Sequence, residues 1–177
     1  MVEQAPRDGD RGDLQYDNEF WRFSLAVYEP ADVANECLEL QDALGLDVNL
    51  LLFCAWLGTR ATVLSRSEIE SATRMVAAWH DSVVRPLRSV RRQMKMLYGD
   101  GFENLRTRVK ENELRAEQIE QAMLFAYARG FQNSRGDIDS RDAVFRNVNE
   151  YISMMSGAAR SGPAAPLLIG AAQRLAK

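Results

Sequence analysis

Residues 49–57 read Asn49-Leu50-Leu51-Leu52-Phe53-Cys54-Ala55-Trp56-Leu57. Their apolar side chains leave no polar stripe, so a helix formed here is buried around its whole circumference. Asp47, just before them, is a good cap for the first turn. The pattern predicts a central helix over residues 48 to about 63, with Gly58 allowing a neighbour to come close. Leu50 to Leu57, the longest apolar run, falls far short of the roughly 20 residues needed to cross a bilayer.

Amphipathic helices flank this segment. Upstream, Phe20, Phe23, Ser24 and Val27 recur at helical spacing behind the caps Asp17 and Asn18. Pro30 ends that element and opens a second helix, with Val33, Cys37, Leu40 and Leu44 inward and Gly45 as its stop. Downstream, Ser67 and Glu70 have capping-box spacing before a helix with the stripe Ile69, Ala72, Val76, Trp79 and Val83. Pro86 is expected to break or kink the chain at Arg85. A fifth helix then turns Leu87, Val90, Met94 and Leu97 inward and stops at Gly99-Asp100-Gly101. Over residues 102–128, Leu105, Val109, Ala116, Ile119, Met123 and Ala126 share a face, in one long helix or in two divided at Asn112. A last core helix carries Val144, Val148, Tyr151, Ile152 and Met155.

Period-two alternation and hairpin turns are absent. The fold class is therefore all-α, a compact single-domain bundle of six or seven helices with a buried central helix over residues 17–157. Residues 1–16, charged and with little to bury, read as a flexible arm. Residues 158–177 form an Ala/Gly/Pro-rich tail with room for a short helix through Leu167, Leu168, Ala171 and Leu175.

A chain of 177 residues, 46% hydrophobic and 27% charged, suits one globular domain. Cys37 and Cys54 lie in apolar patterns and read as buried thiols in a reducing compartment. No cationic start followed by an apolar stretch opens the chain, so the expected location is the cytoplasm, with no membrane span. The net charge of −3 hides an asymmetry: residues 1–50 hold twelve acids and three bases, residues 85–110 eight bases and two acids. A uniformly basic nucleic-acid binder looks different.

The basic stretch holds the candidate working surface. On a helix Arg85, Arg88, Arg92 and Lys95 fall in one stripe about 80° wide, with Arg91 beside it and Leu87, Val90, Met94 and Leu97 opposite. Guanidinium forks match carboxylate and phosphate oxygens in pairs. These five residues are the expected binding face, for an acidic protein or a phosphate-bearing ligand. Asp32, Glu36, Glu39 and Asp42 of the acidic second helix are the competing internal partners. An enzyme acting on a small anionic metabolite, with an arginine clamp and His80 as acid or base, is the alternative. A nucleic-acid or ribosome-associated role is less favoured.

His80, the one histidine, lies at the edge of an apolar stripe and reads more readily as a bonded core residue than as a catalyst. Ala77 stands where a Glu-x-x-His metal motif needs an acid, and clustered Cys and His are missing, so no metal site is expected. Glu36 with Glu39, and Glu117 with Glu120, read as acidic pairs on solvated helix faces. No Gly-rich phosphate loop or nucleophile elbow is present, and no cofactor is expected.

The Asn49 to Leu57 run, then Trp79, then Val83-Val84-Arg85-Pro86-Leu87-Arg88 with Arg91-Arg92 and Lys95, resemble a family of small proteobacterial proteins known as domain of unknown function 2390. The likeness spans roughly residues 17–130. It implies a helical fold and a proteobacterial source, and it carries no activity.

Overall fold

Asp47 begins the helix on which the others pack. Its Oδ1 accepts the Asn49 N–H at 2.8 Å and caps α3 (Val48–Thr59). Every residue of α3 from Val48 to Gly58 is buried, as its unbroken apolar circumference requires. The computed structural model describes residues 14–131, 138–157 and 164–176. Most of the arm assigned to residues 1–16, and the start of the tail at 158–163, lie outside the described residues.

Around α3 stand α1 (Glu19–Tyr28), α2 (Ala31–Leu44), α4 (Arg66–Trp79), α5 (Arg85–Tyr98), α6 (Glu103–Ala128), α7 (Ser140–Ser156) and α8 (Pro166–Leu175). No β-strand occurs among the described residues, so the all-α expectation holds. Likewise, no helix among them is long and apolar enough to cross a membrane. Asn18 caps α1, and Gly45 closes α2 in the left-handed conformation at φ +66°. The tail supplies the eighth helix. Leu168, Ile169, Ala171 and Ala172 of α8 are buried, and the Glu36 carboxylate accepts the Leu167 and Leu168 N–H groups at 3.1 and 2.8 Å. Glu36 thereby receives the positive end of that helix rather than lying on a solvated face.

α7 is the main neighbour of α3. Asn147, wholly buried on α7, donates to the Cys54 and Thr62 carbonyls at 3.1 and 2.8 Å and accepts the Leu64 N–H at 2.8 Å. These bonds, with Ala61 at φ +56°, end α3 at Thr59, four residues before the expected limit. The next helix starts at Ser65 with a Ser65–Glu68 capping box, two residues earlier than the Ser67–Glu70 pair predicted.

Pro86 does not break the chain. His80–Val84 forms a π-turn in which the Arg85 N–H donates to the carbonyl of His80, five residues back. The wider turn makes room for the proline ring, and α4 runs on into α5. One extra residue in that turn also rotates everything after it. Continuing the buried α4 positions Ile69, Ala72 and Val76 leads to Val84, Arg88 and Arg91, where a regular helix leads to Val83, Leu87 and Val90. Val90 and Leu97 are accordingly 47% and 69% exposed, while Leu87 and Met94 stay half-buried, so the expected inward face of α5 is only partly covered. The buried face of α6 shifts in step. It carries Glu113, Ala116, Glu120, Gln121, Leu124 and Ala128, whereas Leu105 is 54% exposed. α6 is one helix across Asn112.

At Gly58 a methyl group would lie 2.5 Å from the Val144 backbone nitrogen and 2.9 Å from the Ala143 carbonyl carbon. Alanine ordinarily gains about 1 kcal/mol over glycine inside a helix. Backbone atoms cannot yield as a side chain does, so the clash outweighs that gain. Gly58→Ala is expected to lower the stability by roughly 1–3 kcal/mol, read as a lower urea midpoint. Gly45→Ala, left-handed but in open space, should cost about 1 kcal/mol.

Candidate functional site

The rotation of α5 brings the arginines against α6. Arg88 is anchored on three sides: Nε to Glu113 Oε1 at 3.2 Å, Nη2 to Glu117 Oε1 at 2.6 Å, and Nη1 to Gln41 Oε1 of α2. Arg91 grips both oxygens of Glu113, Nη2 to Oε1 at 3.1 Å and Nε to Oε2. The Arg88 side chain is only 13% exposed and that of Glu113 7%. Burial works against the Glu113 anion, but the two guanidiniums outweigh it and hold its carboxyl below the usual range.

The five expected binding residues thus divide. Arg88 and Arg91 close an internal network, chiefly with α6 rather than with the acids of α2. Arg85 pairs with Asp81 at 3.0 Å and Arg92 with Asp42 at 2.9 Å, both in exposed pairs. Lys95 is exposed, with no ion pair among the described residues. The expectation that Arg85, Arg88, Arg92 and Lys95 all project into water is corrected at Arg88.

Arg88 and Arg91 also line a cleft of about 420 Å³, together with Lys110, Glu113, Glu117 and Gln41. Its rim is apolar. Leu25, Leu38 and Leu114 on it are 51%, 40% and 49% exposed. Beneath, Gln121 Nε2 donates to Asn49 Oδ1 at 2.9 Å, both buried. A second cleft, of about 470 Å³, lies between Glu19, Trp56, Arg60 and Phe131.

His80 lines neither cleft. As the first residue of the π-turn it points inward, and its Nδ1 lies 3.1 Å from Asp47 Oδ2 and 3.2 Å from Glu120 Oε2. Glu120 is wholly buried, which corrects its assignment to a solvated face. The Asp47 backbone is held from the other side: its N–H donates to the Tyr151 hydroxyl at 3.0 Å, and that hydroxyl lies 3.3 Å from its carbonyl. Four elements therefore meet at one buried polar point. In the sequence Asp47 reads only as a cap, and Glu120 only as one of a solvated acidic pair with Glu117. The available signal was a histidine beside an apolar stripe, which needs a buried partner.

Burial alone would strip the His80 ring of its proton, but the hydrogen bonds and charges of Asp47 and Glu120 outweigh it and push its pKa up to about 10. Burial, and hydrogen bonding with Asp47, raise Glu120 to about 9. Desolvation also opposes the Asp47 anion, yet bonds from Glu120 and His80 hold its pKa below the ordinary range. A protonated ring held between two acid side chains suits a bonded core histidine.

Two outcomes follow for stability. Arg88→Met strands Glu117, takes from Glu113 one of its two cations, and should cost about 3–5 kcal/mol by urea unfolding, against about 1 kcal/mol or less for the exposed Arg85→Met. The charged His80 stabilises the fold fully below its ordinary pKa of 6.5, and that contribution is lost as pH rises towards about 10. Glu120, raised to about 9, acts in the same direction. Unfolding midpoints in metal-free buffer should therefore fall from pH 6.5 to 10, and fall less in His80→Gln.

No curated protein and no solved structure matches the chain. A family model described as "Protein of unknown function (DUF2390)" matches residues 19–124, a span that holds Asp47, His80, Arg88 and Glu120. By that match over more than half its length, the chain belongs to this family of unknown function.

Proposed function

We propose that the protein is a small helical interaction module in which the α5 cations, and the cleft beside them, receive an acidic segment of a protein partner. The observation that carries this reading is the make-up of the cleft. Arg88, Arg91 and Lys110 face Glu113 and Glu117 there, leaving one cation in excess, while exposed leucines form the rim. An amphipathic segment offers both complements, carboxylates for the excess charge and apolar side chains for Leu25, Leu38 and Leu114.

The outer cations add to the attraction. Arg85 and Arg92 are held only by exposed pairs, each worth about 0–1 kcal/mol, so carboxylates of a partner can replace Asp81 and Asp42. Lys95 continues the same outer ridge. The enzyme reading has less support, because His80 is committed to Asp47 and Glu120 while the arginines address a different volume.

A photo-cross-linking residue at Leu114, on the cleft rim, tests the proposal in cells. The expected product is a protein adduct that maps to an acidic segment and is lost in Arg92→Glu/Lys95→Glu, a variant that spares the folding network of Arg88. Adducts to nucleic acid, or protein adducts indifferent to that charge reversal, would overturn it.

A further inference from the structure

Two carboxyl groups and one imidazole nitrogen converge at the start of α3, with donor atoms all within 4.8 Å of one another. The geometry points to a divalent metal site of the zinc and iron(II) class, formed by Asp47 Oδ2, His80 Nδ1 and the Glu120 carboxylate. This inference is independent of the cleft and its partner. It also departs from the expectation of no metal site, which rested on spacing within single helices, whereas these ligands come from three separate elements.

Three observations carry it. First, the spacing is close to what a metal needs. Metal–ligand bonds of about 2.0–2.2 Å place tetrahedral ligand atoms about 3.3–3.6 Å apart; His80 Nδ1 lies 3.1 and 3.2 Å from the two carboxylates, and all three ligand atoms are within 4.8 Å of one another. Little movement is needed to admit an ion at their centre.

Second, the cluster does not satisfy itself. A single ring N–H at Nδ1 faces two carboxylates and cannot serve both well. Glu120 Oε1 is buried with no hydrogen-bond partner among the described residues, and Asp47 Oδ2 meets only the His80 and Glu120 groups of the cluster itself. Asp47 and Glu120 side chains are 8% and 0% exposed, so water does not compensate from outside. An orphaned buried carboxyl oxygen beside a second acid side chain is a place for a cation.

Third, the ligands are held from behind. The Asn49 N–H occupies Asp47 Oδ1 at 2.8 Å and leaves Oδ2 turned to the ring. Tyr151 fixes the Asp47 main chain. Such outer contacts orient metal ligands and tune them. A metal would displace the protons held by His80 and Glu120, and the resulting two carboxylates and neutral imidazole carry a charge of −2, which a divalent ion cancels. The imidazole favours zinc or iron(II) over magnesium. Three protein ligands leave a fourth position for water, the arrangement of an open rather than a closed zinc site. The His80 side chain, 13% exposed, is the most accessible member of the set.

Because His80 is the one histidine, its ring is an unambiguous reporter. The full chain is stripped with EDTA, dialysed and titrated with Zn2+, with His80 ring resonances followed by NMR and bound zinc measured by elemental analysis. One equivalent should bind at micromolar zinc and move the His80 resonances to a new set, while Mg2+ at equal concentration leaves them in place. Glu120→Gln keeps the shape of a neutral carboxyl and should weaken zinc binding at least tenfold, with the metal-free unfolding midpoint retained. Absence of stoichiometric binding, or zinc bound with the His80 ring unmoved, overturns the site. Equal binding of Mg2+ overturns the assignment of ion class.

Discussion

The structure depends on one extra residue in the turn between α4 and α5. The π-turn at His80–Val84 carries the chain past Pro86 without a break and rotates α5 about its axis. That rotation sets Arg88 and Arg91 against Glu113 and Glu117 and leaves Val90 and Leu97 in solvent. It also gives His80, at the head of the turn, an inward direction. Both polar features of the molecule, the guanidinium network and the buried histidine cluster, therefore have a common origin in a local widening of one helix. Insertions of this type recur at functional sites because they redirect side chains without dissolving the helix around them.

Such an interior is costly. Burying arginine and glutamate together is seldom more stable than packing leucine in their place. What charge supplies is a single register. Arg88 reaches Glu113, Glu117 and Gln41 at once, and a slide of α5 along α6 by one residue would leave carboxylates unpaired away from water. Asp47 plays a comparable part at the other end. It caps α3, bonds through its main chain to Tyr151 of α7, and meets His80 and Glu120.

Much of the fold was legible because its helices announce themselves locally. Asn18, Gly45 and Asp47 are caps by their own chemistry, and α3 is apolar on every side, so no knowledge of its neighbours was needed. The errors cluster where two helices determine each other. On a wheel, Leu87, Val90, Met94 and Leu97 look like a core face, and only the extra residue upstream shows otherwise. For α6, Leu105, Val109 and Ile119 outvote Glu113 and Glu120 by hydropathy, since a carboxylate is counted as exposed until its cation is known. The His80 cluster was hidden for the same reason. Asp47 and Glu120 are 73 residues apart in the chain, and no spacing rule joins them. Ser65, like Ser67, has an acid three residues on, and it is Ser65 that caps α4, beside a Leu64 fixed by Asn147 of a distant helix.

The pairing of α3 with α7 also bears on how the molecule is made. The bonds from Asn147 span 83 to 93 residues of sequence, and the segment shared with the family ends at residue 124, before α7 begins. At translation speeds of about 5–20 residues per second, the most hydrophobic helix spends roughly 5–20 s on the ribosome before its partner is synthesised. During that interval α1, α2, α4 and then α6 cover it only in part, and the face that α7 will take stays open until the chain is nearly finished.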